Sequence, residues 1–297
     1  MQTKKTILAC FVFAAICFAL FSLSGINVKA DDVQGNVTVN SVPSVGTVTL
    51  WNQNGTVDPI DLSVGSTVTV TANATITDLN NGTDIANATA VLYSSSVGAG
   101  DPNNNNTHIT NSLCDLSEVD PEVDNNTIVA TCTFEMNYNA LPGTWNVTIT
   151  ATDAGALSSS NTGGNEVNDN IGLEVNETSI SFGSMTSGSN SSDDEVPSTT
   201  ITNMGNVDIN PKVSGTDFTC TNGEIPVTNI KYNNETGNYD SMSSSLSEVA
   251  TPDDNSLIHY LSDEETPQGS EYWTIQVPSD VGGVCTNTIT IVAEAAV

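Results

Sequence analysis

Asparagine followed two positions later by threonine or serine is the most frequent motif in this 297-residue chain that could carry chemistry. Such sequons are the acceptors of N-linked glycans in exported proteins. Composition alone would give about eight or nine of them. Ten of the observed sequons carry threonine, a skew that favours glycosylation, although threonine is also preferred in strands. The eleven acceptors are Asn36, Asn54, Asn73, Asn81, Asn87, Asn105, Asn125, Asn146, Asn176, Asn190 and Asn234.

A second candidate is a cation site in the turn from Asp78 to Asp84, whose sequence is DLNNGTD. Hard cations bind several carboxylate and amide oxygens. Asp78, Asn80 and Asp84 could supply these oxygens, which makes calcium the one cofactor that the sequence suggests. The spacing does not match an EF-hand loop, because Gly82 comes one position early. Asp, Asn and Gly are also ordinary turn residues, so a turn without a metal explains the same pattern. Further acidic groups occur at 193–195, 253–254 and 263–265.

The sequence offers few groups for catalysis. General acid–base and nucleophilic enzymes mostly use His, Lys or Cys in a pocket. The histidines are His108, in an asparagine-rich stretch, and His259, in an apolar run, and there is no G-x-S-x-G or H-E-x-x-H motif. Glycoside hydrolysis by a pair of carboxylates is an alternative that the sequence does not decide, since such residues come together only in the folded structure. We predict that the protein is not an enzyme.

The leading residues 1–30 have the pattern of a secretory signal peptide. Lys4 and Lys5 precede an apolar run from Ile7 to Leu23, and small residues follow it. No later stretch is apolar enough to cross a bilayer. We therefore expect an extracellular protein, secreted or associated with the cell surface, without membrane insertion once the signal peptide is removed.

Cysteine usage agrees with export to an oxidising compartment. Cys10 and Cys17 lie in the leader, and four cysteines follow it, which allows three pairings. The separations of 18 and 65 residues favour one bond in each half of the chain. Zinc is the alternative, but no C-x-x-C spacing supports it. The predicted bonds are Cys114–Cys132 and Cys220–Cys285.

Charge excludes two classes of partner. After residue 30 the chain has 35 acidic side chains and only two basic ones, Lys212 and Lys231, so its formal charge is −33. Nucleic-acid binding requires basic groups that neutralise phosphates. Anionic membrane surfaces likewise attract basic segments. We expect neither nucleic acid nor a membrane surface as a partner.

Period-two alternation of apolar and polar residues predicts antiparallel strands with one wet face. It is clearest in Thr67–Thr77, Thr127–Tyr138 and Thr144–Thr150. A stretch rich in Ser, Gly and Asn at 154–170 predicts a long loop, and 171–175 predicts the strand that closes the first half.

The second half contains seven short runs typical of strands, the first at 179–182. That number of strands in about 120 residues is the size of an immunoglobulin-like sandwich. We predict an all-β fold, with two tandem immunoglobulin-like antiparallel β-sandwich domains after a cleaved signal peptide. The predicted domain bounds are 31–176 and 177–297.

Two segments resemble known extracellular modules. Leu141–Gly155, LPGTWNVTITATDAG, resembles the penultimate strand and turn of bacterial and archaeal Ig-like repeats. Ser181-Phe182-Gly183, followed by TITNMGNVDI at 200–209, is similar to the opening of NTGN-type domains of the CARDB kind, found in archaeal S-layer-associated and secreted proteins. Met204 stands where that pattern usually has threonine. The resemblance implies surface display and carries no catalytic residues.

These observations favour a secreted cell-surface glycoprotein with a structural or adhesive role, whose partners are other cell-surface proteins or its own subunits. One alternative is a filament subunit assembled by strand donation, because the arm Asp31–Ser44 carries partly alternating valines. Another alternative is an extracellular carbohydrate-binding module. Trp145 and Trp273 alternate with apolar neighbours, so we expect them in the core, and Trp51 alone makes a poor platform for sugars.

Overall fold

The structure is a computed structural model that describes residues 34–111, 113–118, 125–192, 196–253, 256–259 and 267–296. Contacts divide the chain into residues 1–39 and 40–297. The described part of the first unit, 34–39, is irregular and exposed. Outside the described residues lie the predicted signal peptide and the acidic groups at 193–195, 254 and 263–265.

Antiparallel strands build the described part of residues 40–297, which confirms the predicted all-β class. The helices described are two single 3-10 turns, Gly82–Asp84 and Val227–Asn229, too short to span a membrane. The strands are β1 (Ser44–Val45), β2 (Thr49–Trp51), β3 (Thr67–Thr77), β4 (Ile85–Ser94), β5 (His108–Asn111), β6 (Asp115–Glu118), β7 (Thr127–Asn137), β8 (Gly143–Asp153), β9 (Ser158–Val167), β10 (Leu173–Val175), β11 (Ser198–Asn203), β12 (Ile209–Gly215), β13 (Phe218–Asn222), β14 (Glu224–Ile225), β15 (Ile230–Asn233), β16 (Ser244–Ser245), β17 (Thr251–Pro252), β18 (Gln268–Ile275), β19 (Gly282–Thr286) and β20 (Ile289–Ala295).

The first half contains two sheets that enclose one apolar core. One sheet has the order β1-β3-β7-β6, with β2 also paired to β3, and the other has the order β5-β4-β8-β9. The long strands alternate as predicted: in β3, Val70, Ala72, Ala74 and Ile76 are all buried while the threonines between them face outward. Trp145 of β8 is fully buried in the same core. Apolar burial on the facing sides is the main force that holds these sheets together.

Strand β9 corrects the prediction of a long loop at 154–170. Its residues, SSSNTGGNEV, are poor strand formers, yet the strand pairs with β8 from Gly143↔Val167 to Thr152↔Ser158. Asparagine side chains on β9 bond to distant backbone groups: the Nδ2 of Asn161 donates to the carbonyl oxygen of Gly46 (2.7 Å), and that of Asn165 donates to the carbonyl oxygen of Asp58 (2.9 Å). A Cβ on Gly163 would lie 2.0 Å from the carbonyl oxygen of Val48, so this close approach requires glycine.

The second half contains three further sheets, one of five strands and two of three, with the orders β10-β11-β18-β15-β16, β17-β12-β20 and β14-β13-β19. The largest apolar cluster includes Trp273 and Tyr232, whose ring centroids are 5.6 Å apart. No buried residue of the clusters in this half belongs to the cluster of the first half. The expected division into domains at residue 176 stays a prediction.

Two further segments differ from the sequence prediction. The strand expected to close the first half is β10, and it pairs with β11 instead, so it extends a sheet of the second half. Residues 179–182 were predicted as a strand but are irregular. Ile180 and Phe182 pack against the core of the second half as side chains, and the Phe182 ring meets that of Phe218 edge-on at 6.2 Å. Their apolar spacing therefore reflects burial without strand pairing.

Candidate glycan-attachment sites and a carboxylate cluster

All eleven sequon asparagines lie at the surface. Seven are exposed and four are half-buried, and none is buried. The half-buried ones include Asn73 of β3 and Asn146 of β8, which point away from the core as the alternation predicts. A sugar on either nitrogen would extend from the wet face of its sheet and leave the apolar core unchanged.

Hydrogen bonding of the side-chain nitrogen, the atom to which an N-linked glycan is attached, distinguishes the sequon asparagines from many of the others. None of the eleven sequon nitrogens donates a hydrogen bond within the part of the chain that the structure describes. Thirteen other asparagines do donate through this nitrogen: Asn40, Asn52, Asn106, Asn111, Asn139, Asn161, Asn165, Asn168, Asn170, Asn203, Asn206, Asn229 and Asn287. Random assignment of sequons among the 33 described asparagines would give this separation roughly once in a thousand, so composition alone does not explain it.

Burial shows the same separation. The buried asparagines are Asn52, Asn106, Asn139, Asn170, Asn203 and Asn206, and none of them begins a sequon. The neighbours Asn52 and Asn54 illustrate the difference. Asn52 is buried, its Oδ1 accepts from the N–H groups of Asn54 and Thr56 (3.0 Å each), and its Nδ2 faces the carbonyl of Pro59. Asn54, the sequon residue, is exposed.

The sequon at Asn81 forms a turn that leaves its nitrogen available. Its Oδ1 accepts from the backbone N–H of Thr83 (2.9 Å) and from the Thr83 hydroxyl (3.0 Å). This is an Asx turn, in which the asparagine oxygen satisfies the backbone two residues on. The nitrogen is then the remaining reactive atom of the amide.

The described residues contain two disulfide bonds, and they are the two pairs that the sequence predicts. Cys114 is bonded to Cys132 of β7, and both are buried. Cys220 of β13 is bonded to Cys285, which lies directly opposite it on β19, and both are half-buried.

Three carboxylates from distant parts of the sequence meet at one end of the first half. Asp78 directly follows β3, Asp84 ends the 3-10 turn, and Asp153 is the last residue of β8. Each offers an oxygen within 4.8 Å of the others. Asp78 and Asp153 are buried and Asp84 is half-buried. The sequence pattern identified Asp78 and Asp84, whereas no local signal marks Asp153, which lies 69 positions after Asp84.

Asn80, the third ligand expected from the sequence, faces the arm that precedes β1. Its Oδ1 accepts from the backbone N–H and the hydroxyl of Ser41, each at 2.7 Å. Ser41 also donates to Oδ1 of Asp78 (3.0 Å), and Asn40 donates to Oδ2 of Asp153 (2.8 Å). Residues 40 and 41 therefore lie against the carboxylates.

The two histidines are engaged in hydrogen bonds. His108 is buried, with its ring nitrogens 3.1 Å from Oδ1 of Asn103 and 3.2 Å from the carbonyl of Ala99. His259 meets Asp208 through both its backbone N–H and its Nδ1, each at 2.7 Å. The backbone N–H of His259, helped by its ring, holds the pKa of the Asp208 carboxyl below its usual value.

Buried tryptophans weaken the case for a sugar-binding platform. Trp145 and Trp273 are fully buried, as the alternation predicts, and Trp51 is half-buried. Within the described ranges, no aromatic side chain is among the large exposed apolar residues. Stacking of sugars requires an accessible aromatic face, and two of the three tryptophans are fully buried.

The NMGN segment that carries the family resemblance has a structural task that sequence reasoning missed. Asn203 accepts from the N–H of Gly205 (2.9 Å) and donates to the carbonyl of Val207 (2.9 Å), which closes the loop between β11 and β12. Asn206, buried next to it, donates to the carbonyl of Ala140 (2.8 Å) in the first half. The turn motif was visible in the sequence, but its partner was not.

No protein-family model and no curated protein matches the chain. Several solved structures show a distant likeness. A chaperone-tip adhesin complex of CFA/I fimbriae biogenesis is 9% identical over 84% of each chain, with a TM-score of 0.29. The C-terminal domain of the Streptococcus agalactiae AgI/II polypeptide BspA is 12% identical, covering 86% of this chain and all of that one, with a TM-score of 0.24. AggA, the major subunit of aggregative adherence fimbriae type I from Escherichia coli, is 16% identical over 44% of this chain and 97% of its own, with a TM-score of 0.19. Because these TM-scores are low, the function is inferred from the chain's own residues.

Proposed function

We propose that this chain is a secreted cell-surface glycoprotein with a structural or adhesive role. The observation that carries the proposal is the separation of its asparagines. Those in sequons keep their side-chain nitrogens at the surface and without hydrogen bonds inside the described fold, and those that hold the fold together are outside sequons. A protein modified at sequons requires this separation, because a glycan on a buried, hydrogen-bonding nitrogen would displace the packing around it.

Two other features support export and display. Disulfides persist in oxidising compartments, and this chain has one in each half. The surface is acidic and rich in hydroxyl and amide groups, with a formal charge of −33 after residue 30. Such charge favours solubility and repels anionic surfaces.

Intact mass of the protein purified from its own cells tests the glycans. We expect a mass well above that of the chain from residue 31, in several steps of one glycan mass. Glycopeptide mapping with a protease that cuts at acidic residues should place the glycans at members of the eleven sequons, with exposed sites such as Asn54, Asn176 and Asn234 among them. A native mass equal to the unmodified chain would overturn the proposal.

A pair of variants at one site sharpens this test. Asn54→Gln removes a sequon, and Asn54→Thr moves it to Asn52, so the second variant keeps eleven sequons. Because Asn52 is buried and bonded on both sides of its amide, we expect each variant to lose one glycan mass if Asn54 is occupied in the native protein. Modification of Asn52 in secreted, folded Asn54→Thr protein would show that surface position does not govern attachment.

A filament subunit assembled by strand donation is the second candidate, and the arm before β1 favours it. Val37, Val39 and Val42 are 85%, 68% and 57% exposed, an unusual display for apolar side chains. Such an arm could complete a sheet of a neighbouring copy. Sedimentation of the native protein separates the candidates: a filament subunit should form polymers that disappear when residues 31–39 are deleted, and a free adhesive protein should sediment as one species with or without them.

A further inference from the structure

We propose that Asp78, Asp84 and Asp153 bind one calcium ion. Their ligand oxygens lie within 4.8 Å of one another. Calcium–oxygen bonds are about 2.3–2.6 Å long, so two oxygens bound to one ion lie at most about 5 Å apart, and the three oxygens meet this limit. The carboxylates therefore stand at distances that a single calcium ion can bridge with little rearrangement.

Charge around the cluster favours a bound cation. Three carboxylates this close repel one another, and burial of Asp78 and Asp153 weakens the screening by water. Their described hydrogen-bond donors are all neutral: Ser41, Asn40, and the backbone N–H groups of Asn80 and Leu157. The two lysines after residue 30 are engaged elsewhere, Lys212 with Glu294 and Lys231 with the carbonyl and ring of Tyr239. No basic side chain contacts the cluster in the described ranges.

An oxygen without a partner is the independent sign of a ligand. Oδ2 of Asp78 is buried and accepts no hydrogen bond, although Asp78 is completely inaccessible to solvent. Buried polar atoms are almost always satisfied, so an unpaired oxygen on one of the three clustered carboxylates favours a bound cation. The Asp84 carboxylate likewise accepts no hydrogen bond from any described residue. These are the oxygens that we assign to the ion.

The donor set selects calcium over other metals. All three side chains are carboxylates, and hard oxygen ligands suit calcium or magnesium, whereas zinc prefers histidine and cysteine. Magnesium requires shorter bonds of about 2.0–2.1 Å in a near-ideal octahedron and gives up its waters reluctantly, so it is usually bound by one or two carboxylates and not by three. Water would complete the coordination of calcium.

The ion would join the two sheets of the first half at one end. Asp78 follows β3 of one sheet, and Asp153 ends β8 of the facing sheet. Asn40 and Ser41 bond to the same carboxylates, so the ion would also hold these two residues against this end of the fold. The expected affinity rests on the proposed export, because extracellular calcium modules bind with dissociation constants of about 0.1–1 mM.

Thermal melting of the chain from residue 31, with matched ionic strengths of CaCl2, MgCl2 and NaCl, tests the site. We expect calcium to raise the melting temperature by several degrees beyond the other salts, with saturation at one ion per chain in isothermal titration. Identical curves for the three salts would overturn the proposal. Neither result depends on glycans, so protein made in a host that does not glycosylate can be used, and failure here leaves the glycan test unaffected.

Variants identify the ligands. Asp78→Asn and Asp153→Asn should abolish the calcium-specific shift, and Asp115→Asn, an exposed carboxylate in the same half, should retain it. Asp84→Asn is the decisive change if the buried variants fail to fold, because the Asp84 side chain is half-buried and makes no described hydrogen bond. It should melt at or above the wild-type temperature in chelator, where repulsion is relieved, and below it in calcium. A variant that tracks the wild type in both conditions would exclude Asp84 and the site as drawn.

Discussion

Replacing Asn206 by alanine is expected to lower the free energy of unfolding by about 3 kcal/mol. The side chain is 1% exposed and its amide makes three hydrogen bonds. Nδ2 donates to the carbonyl oxygens of Ala140 (2.8 Å) and Asn168 (3.1 Å), and Oδ1 accepts from the N–H of Asn170 (2.6 Å). Alanine would leave these groups without their partner, and each buried group so orphaned costs about 1–3 kcal/mol. Urea unfolding measures the loss.

Control variants show whether the loss of stability is specific to Asn206 or follows from any asparagine-to-alanine substitution. Asn222→Ala, exposed on β13 and without a described side-chain hydrogen bond, should change stability by less than about 0.5 kcal/mol. Asn206→Asp keeps the shape but turns a carboxylate oxygen toward two carbonyls, so it should cost at least as much as alanine. Gly205→Ala would place a Cβ 2.0 Å from the carbonyl oxygen of Asn170 and should also destabilise. Equal stability of the Asn206→Ala and Asn222→Ala proteins would refute the structural role.

The same variant addresses the expected division of the chain. Asn206 belongs to the second half, and its three partners belong to the first. The apolar clusters of the halves share no buried residue, so the halves are coupled by polar contacts such as this one and by the pairing of β10 with β11. If residues 31–176 and 177–297 are two domains, Asn206→Ala should split one unfolding transition into two. A single transition that merely shifts to lower urea would favour one cooperative unit.

The sequence predicted those parts of the fold in which the type of each residue indicates whether that residue is buried or exposed. Strands such as β3 and β8 alternate apolar and hydroxylic residues because one face is dry and the other wet, and this pattern needs no knowledge of the partner strand. Trp145 and Trp273 were placed in the core on the same reasoning. The class of the fold follows from such local patterns.

The features that the sequence did not reveal depend on contacts with remote residues. Strand β9 is held by pairing with β8 and by Asn161 and Asn165, whose amides bond to the backbone near β1 and β2, so composition alone indicated a loop. Asp153 joins Asp78 only because β3 and β8 end at the same side of the fold. The sequons were visible one by one, but the contrast between their nitrogens and those of the buried asparagines required the structure.

Removing the Cys220–Cys285 bond by replacing both residues with alanine is expected to lower the free energy of unfolding by roughly 4 kcal/mol. The bond closes a 65-residue separation, and loop closure restricts the unfolded chain more as the loop grows. The small sheet β14-β13-β19 depends on it, since only Thr219↔Thr286, Cys220↔Cys285 and Asn222↔Gly282 pair β13 with β19. The 18-residue separation of Cys114–Cys132 predicts a smaller entropic term of roughly 3 kcal/mol.

Exposure predicts the order in which a reductant acts on the folded protein. Cys220 and Cys285 are half-buried at the edge of their core, whereas Cys132 is fully buried and Cys114 is 3% exposed. A dithiol reagent must reach a sulfur to attack it, so partial reduction followed by alkylation should label Cys220 and Cys285 first, with the other pair intact until the first half unfolds. Mass spectrometry of the labelled peptides reads this order directly. Early labelling of Cys114 or Cys132 would mean that the first half opens before the second, and that its core is the less stable of the two.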